Sequence, residues 1–301
     1  MKYTTEESAP LSASTSVTTL LKGYVALSKL RLSSLVVFSA IMGYMTAAPG
    51  PWDWQQALLL GLGGLLITAS ANGFNQIFER EPDKLMARTC QRPLATGRMT
   101  VLEALIFCMS TGVVGLIVLG FYFGFLAFLL GLVALLSYAF VYTPMKRISP
   151  ISVLIGAFPG AIPPLLGYVA FTGQVSTEAW ILFALQFVWQ FPHFWSIAWL
   201  LHDDYSKAGF KMLPHPGGQN QRNATTILIY TFMLFPIGLL PLKYEMAGPV
   251  AITIILISSL YMFVCAFFLF RNCSLHAARQ LMFSSFVYLP AVQMALVFDK
   301  I

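Results

Sequence analysis

Along this chain, apolar residues run repeatedly for the roughly 20 positions that a helix needs to cross a bilayer. In hydrocarbon every backbone N–H and C=O must find its partner within the protein, as it does in a helix. The expected fold is therefore all-α, a polytopic membrane bundle. Composition agrees: 57% of the 301 residues are hydrophobic and 10% are charged, which excludes an ordinary soluble globular domain. Nine spans are expected, near residues 24–48, 55–78, 101–120, 122–142, 151–171, 179–201, 225–242, 247–270 and 280–298. They would surround a central cavity open to the cytoplasmic side. Residues 1–20 are rich in Ser and Thr and carry Glu6 and Glu7. They have neither the basic start of a signal peptide nor the Arg-rich character of a presequence. The expectation is a disordered polar tail, then one membrane domain over 21–301.

Charge sets the expected orientation. All but two of the 18 Lys and Arg residues, Lys243 and Lys300, fall on the side of the amino terminus. That asymmetry places the amino terminus and the two polar loops in the cytoplasm, with the carboxyl terminus opposite. The net charge of +6 is then chiefly a topology signal, and nucleic-acid binding is not expected. Cys90, Cys108, Cys265 and Cys273 have no metal or redox spacing, and no disulfide is implied.

The most concentrated chemistry lies where the second apolar run ends, in NGFNQIFEREPDKLMARTCQRPLATGR, residues 72–98. Glu79, Glu81 and Asp83 bring three of only 12 acidic residues into one short stretch. On a helix, steps of four advance by about 40°, so Asn72, Asn75, Glu79 and Asp83 would share a stripe. Carboxylates on such a stripe suit Mg²⁺, which is commonly held by one or two carboxylates plus substrate phosphates. Arg88 and Arg92 suit the phosphates themselves, because a guanidinium can grip two oxygens. A solvated loop with internal ion pairs would use the same residue types. Pro82 complicates the stripe, since its ring clashes with the carbonyl four residues earlier and would end or kink the helix.

A second constellation is QFVWQFPHFWSIAWLLHDDYSKAG, residues 186–209. Gln190 and His193 lie on one helix face, and Asp204 sits eleven residues beyond His193, about 16 Å along a continuous axis. His193 would then lie inside the membrane and Asp204 at its cytoplasmic mouth, too far apart to share one metal. Polar groups at that depth face a bundle interior or a cavity. An interhelical hydrogen bond accounts for His193 as well as a ligand contact does. The neighbouring aromatic residues suit either an interface belt or the wall of a pocket.

The run NQIFEREPDKLMARTCQRPL resembles the first signature of the UbiA-type intramembrane prenyltransferases. YTPMKR, IGAFPGAIPPLLGYVA and WQFPHFWSIAWLLHDDYSKAGFKMLP resemble further signatures in the expected order, within the branch of that family that farnesylates heme. The resemblance implies nine helices and a bacterial cytoplasmic membrane. It implies transfer of farnesyl from farnesyl diphosphate to a vinyl group of protoheme IX, giving heme O and diphosphate. By position, Asn75, Glu79, Asp83 and Asp204 would be catalytic, with Glu79, Asp83 and Asp204 around Mg²⁺. Asn72, Arg88, Arg92, Lys146, Arg147 and Lys207 would serve the diphosphate and its mouth, and Gln190 and His193 the porphyrin. Membrane lipid, and a protein of heme delivery or oxidase assembly, would be its partners. The chain departs from the family pattern in carrying Glu at 79 and 81 where Asp is usual, and in having Pro82. Rival readings are a related enzyme acting on a hydroxybenzoate or naphthoate, and a transporter of an anionic metabolite, although no clear internal repeat supports transport.

Overall fold

The computed structural model describes the backbone of residues 17–301 and the side chains from Leu21 onward. The tail expected over residues 1–20 lies outside the described residues, apart from 17–20, which already belong to a helix. Among the described residues the fold is all-helical. In chain order the helices are α1 (Val17–Ser28), α2 (Leu30–Ala47), α3 (Trp54–Phe78), α4 (Arg80–Lys84), α5 (Val101–Leu136) and α6 (Thr143–Ile148). Then come α7 (Ser152–Thr172), α8 (Thr177–Leu200), α9 (His202–Lys207), α10 (Gln221–Phe232), α11 (Leu234–Gly238), α12 (Leu240–Lys243), α13 (Pro249–Asn272) and α14 (Leu275–Phe298). A π-helical turn, Ser137–Tyr142, joins α5 to α6. Seven stretches among the described residues are long and apolar enough to cross a membrane, counting Val101–Ile148 and Gln221–Lys243 as one each. α8 is also long, but it carries Gln186, Gln190 and His193 and is not one of the seven.

Several boundaries follow from single residues. In α5, Gly124 has φ 84° and ψ 178°, a conformation essentially restricted to glycine. The chain doubles back there, and a methyl group added at Gly112 would touch the Leu135 side chain at 3.4 Å. In an unbroken helix those two residues would stand about 35 Å apart. The break at Met233 sits three residues before Pro236, whose missing N–H and bulky ring prevent a continuous ladder. The expected first span, 24–48, is instead two helices separated at Lys29, which is left-handed at φ 47° and ψ 52°. Side chains of α3 hold that break: Gln76 Nε2 donates to Leu27 O at 2.8 Å and Asn72 Nδ2 to Ser28 O at 3.3 Å.

Small residues and buried amides hold the bundle together. Gly43 on α2 lies against Pro164 O, and Gly167 on α7 against Ala40 O, so the two backbones meet where any side chain would collide. Gly156 seats the ring of Tyr142 and Gly160 the amide of Gln190. Pro164 cannot donate to Gly160 O, and Gln186 Nε2 supplies that bond instead at 2.7 Å. Gln293 Nε2 donates to Gln186 Oε1 at 2.9 Å, and Ser39 Oγ donates to Gln293 Oε1 at 3.3 Å. This polar belt ties α2, α7, α8 and α14 together.

The two ends of the bundle differ. At one end Lys300 donates to Met45 O and Ala48 O and lies over Trp52. Asp299 Oδ2 there accepts from Ala251 N at 2.7 Å. At the other end the loop after α4, the π turn, α6 and the loop after α9 converge. A backbone bond from Lys211 N to Lys146 O, 2.7 Å, fastens the last of these to α6.

Candidate active site

At that second end the polar face of α3 meets α6. α3 stops at Phe78, the residue whose carbonyl the Pro82 ring obstructs. Glu79 takes a non-helical φ of −94° and ψ of 6°, and α4 starts afresh. The turn buries both Glu79 and Asp83. Buried carboxylates need partners, and both have them. Lys146 Nζ donates to Glu79 Oε1 at 2.7 Å. Arg92 Nη1 donates to Asp83 Oδ1 at 2.8 Å and Oδ2 at 2.7 Å, and lies 3.9 Å from Glu79 Oε2. The Arg92 guanidinium therefore stands between the two carboxylates.

A cavity of about 330 Å³ opens beside this cluster. Lys29, Arg88, Arg92 and Lys146 bring four cationic side chains to its wall, against one lining carboxylate, Glu79. Tyr138, Tyr142, Tyr205 and Phe210 supply aromatic surface, and Leu32, Met86 and Met212 apolar surface. The π-helical turn brings both Tyr138 and Tyr142 onto the cavity, and such turns recur at functional positions. Lys146 Nζ lies 4.5 Å from the Tyr142 ring centroid, within cation–π range. Asn75 joins three elements: Lys29 Nζ donates to its Oδ1 at 3.0 Å, and its Nδ2 donates to Thr143 Oγ1 at 3.3 Å. The Thr143 hydroxyl in turn donates to Tyr138 O at 2.9 Å.

The electrostatics follow from crowding. Burial opposes ionisation of Glu79, but Lys146, Lys29 and Arg92 outweigh it and hold the carboxyl below its usual range. At Asp83 burial prevails and raises the pKa, even with Arg92 on both oxygens. Burial, with the Arg92 charge adding to it, lowers Lys29 to about 7. An excess of cations on a half-apolar wall suits a ligand with a polyanionic head and a greasy body.

The expected site residues separate into two groups. Asn75, Glu79, Arg88, Arg92 and Lys146 line the cavity, with Asp83 directly behind Arg92. The others sit elsewhere. Asn72 is turned to the α1–α2 break, so the stripe from Asn72 to Asp83 does not act as one surface. Arg147 is exposed and is absent from the cavity lining. Asp204 pairs with Lys207 at 3.7 Å, and neither lines the cavity. Among the described residues no three Asp, Glu, His or Cys side chains come together as a metal cluster. Asp204 is therefore not joined with Glu79 and Asp83, because α9 begins a new helical segment after Leu201. Gln190 donates to Ala157 O at 3.0 Å, and His193 Nδ1 meets Ser285 Oγ at 2.8 Å, so both serve interhelical contacts.

The cavity also uses residues not singled out in the sequence. Tyr142 stands within YTPMKR, and Tyr205 and Phe210 stand within DYSKAGF, so the motifs carried a signal for them. Lys29 had only its place at the start of an apolar run, which the orientation argument absorbed.

A helical membrane bundle with a cation-rich, aromatic-walled cavity at one end is an intramembrane protein suited to a lipid-like diphosphate. The chain belongs to the UbiA prenyltransferase family, whose sequence model matches residues 36–289. It is 48% identical over 280 residues to the protoheme IX farnesyltransferase of Cytophaga hutchinsonii, covering 93% of this chain and 98% of that one. Its fold is similar to that of a solved digeranylgeranylglyceryl phosphate synthase, at a TM-score of 0.77 and 20% identity over 93% of this chain and 98% of the other. It also resembles a UbiA homologue from Archaeoglobus fulgidus bound to GPP and Mg²⁺, at a TM-score of 0.63 and 17% identity over 91% and 99% of the two chains.

Proposed function

We propose that this protein transfers the farnesyl group of farnesyl diphosphate to a vinyl group of protoheme IX, giving heme O and diphosphate. One observation carries the choice of donor and acceptor: nearly full-length identity of 48% to a relative named as a protoheme IX farnesyltransferase. The cavity supports the same reading, since its cations suit a diphosphate and its apolar wall suits a prenyl chain.

Departure of diphosphate from an allylic carbon builds negative charge on oxygen, and fixed cations stabilise that charge as it develops. Lys146 and Arg88 face the cavity and would take phosphate oxygens, as would the free edge of Arg92. Glu79 keeps Lys146 charged and fixed. Tyr142 and Tyr138 line the cavity, and an allylic cation formed there would be attracted to their faces. Apolar walls exclude the water that would otherwise capture it. The pair Glu79 and Asp83 fits Mg²⁺ on one observation: a cationic group already bridges the two carboxylates in the form of Arg92. Two carboxylates leave the remaining positions to substrate oxygens and water, as is common for this ion. When bound, Mg²⁺ would supply further neutralisation of the leaving diphosphate.

The finer assignments rest on the same reading. Nine passes follow if the α5 hairpin counts as two and α8 as one. Residues 21–301 form one domain in a bacterial cytoplasmic membrane, with the basic end facing the cytoplasm and the carboxyl terminus opposite. Asp204, Lys207, Arg147, Gln190 and His193 would act on the porphyrin side or at the mouth rather than on the diphosphate. A heme-delivery or oxidase-assembly protein would meet that mouth. The test is an assay on isolated membranes with farnesyl diphosphate, heme and Mg²⁺, reading extracted heme by mass. Heme gaining a farnesyl group is the expected result. Prenylation of a hydroxybenzoate with heme unchanged would overturn the acceptor.

A further inference from the structure

We infer that Lys29 is a diphosphate-binding residue, delivered to the cavity by the left-handed break between α1 and α2. The inference rests on the prenyl-diphosphate reading of the cavity and adds a residue from a third part of the chain.

The first observation is the backbone. A lysine at φ 47° and ψ 52° occupies a region unfavourable to a side-chain-bearing residue, which persists where its surroundings enforce it. Here the enforcement is visible. Gln76 and Asn72 bind the carbonyls of Leu27 and Ser28, and the Ser33 hydroxyl donates to Ser28 O at 2.8 Å. Three side chains thus satisfy the groups that the break exposes, immediately before Lys29.

The second observation is where the side chain goes. Snorkelling to the membrane surface would leave the ammonium in water. Instead Lys29 Nζ turns inward to Asn75 Oδ1 at 3.0 Å and lines the same cavity as Arg88, Arg92 and Lys146. Lys146 is committed to Glu79 and Arg92 to Asp83. Among the described residues Lys29 meets no carboxylate within ion-pair distance, and the partner of its ammonium there is a neutral amide. A buried-facing ammonium held only by an amide carries charge available to an incoming anion. A phosphate oxygen would replace or join Asn75 Oδ1, and Asn75 fixes the reach.

The experiment uses the full chain in detergent, with inorganic diphosphate and Mg²⁺ as the probe and calorimetric titration as the readout. Lys29→Gly removes the ammonium while suiting the left-handed backbone better than lysine does. Lys29→Arg keeps the charge. A charge-assisted hydrogen bond of ordinary strength predicts an affinity loss of about 10- to 100-fold in K29G and a smaller loss in K29R. In turnover, KM for the prenyl diphosphate should rise in K29G while heme affinity, followed by absorbance, stays unchanged. Unchanged diphosphate affinity in a folded K29G would overturn the inference, as would equal losses in K29G and K29R with a lowered Tm. Wild-type protein that binds no diphosphate at all would instead overturn the underlying reading of the cavity.

Discussion

Lys146 Nζ lies 2.7 Å from Glu79 Oε1, joining residues 67 positions apart in sequence at the wall of one cavity. Both side chains are largely buried, at 11% and 7% exposure. Burying either charge alone is unfavourable, so each residue makes the other tolerable. The pair also ties the end of α3 to α6, and hence the acidic stretch to the YTPMKR motif.

Breaking that pair should harm folding as well as chemistry. Lys146→Met removes the hydrogen-bonded cation from Glu79, and is expected to cost about 3–5 kcal/mol. Adding Glu79→Gln should restore part of the stability but none of the turnover. Thermal melts in detergent and heme O formation, measured on both variants, separate the two effects. Additive losses in stability would contradict the coupling.

Asp83→Asn should act through Arg92. The contact of Nη1 with both Asp83 oxygens, at 2.8 and 2.7 Å, holds the guanidinium between the carboxylates. With it weakened, Arg92 loses its orientation. The expected outcome is a fall in kcat of at least about tenfold, since one tenfold step corresponds to only about 1.4 kcal/mol of lost transition-state stabilisation. The Mg²⁺ requirement should shift to higher concentration, which a metal titration of turnover measures.

Lys29 makes diphosphate binding dependent on pH. Its pKa falls from 10.5 to about 7 in the fold. Because the unfolded chain then binds more protons between those values, this group favours folding increasingly as pH rises from about 7 to about 10.5, and that contribution disappears below about 7. For the ligand the sign is opposite, since the empty cavity loses the Lys29 charge above pH 7. Diphosphate affinity should weaken from pH 7 to 9, with proton uptake on binding that K29G lacks. Titration in two buffers of different ionisation enthalpy reads that uptake.

Gly124→Ala should destabilise the α5 hairpin. At φ 84° and ψ 178° a side chain costs about 1–3 kcal/mol, while no neighbouring atom lies within 4 Å of the added methyl. The loss is therefore conformational, and Gly124→Asn should not recover it. Melts of both variants check this.

Gln186→Leu should loosen the membrane interior without touching the cavity. It removes the donor to Gly160 O and the acceptor of Gln293 Nε2. Buried polar groups left without partners in a bundle cost about 1–2 kcal/mol. A lowered Tm with unchanged diphosphate affinity is the expected pair of results.

Several features could be read from the residues alone. Long apolar runs demanded helices, because hydrocarbon offers the backbone no other partner. The density of charge around Glu79, Asp83, Arg88 and Arg92 marked the site, and Pro82 foretold the break that ends α3 at Phe78. What the chain order could not reveal was which polar side chains share a cavity. Asn72 and Asn75 are three apart, yet one holds a helix break and the other lines the cavity. His193 and Gln190 hydrogen-bond to neighbouring helices, and Asp204 pairs with Lys207. Lys29 enters the site only because three side chains of other segments and its own loop stabilise a left-handed turn. Helical periodicity reports direction around one axis, whereas a cavity is assembled from several axes whose packing depends on glycines such as Gly43 and Gly167 meeting a facing backbone. That packing is a property of the folded bundle, and it decides which charges stay free to bind.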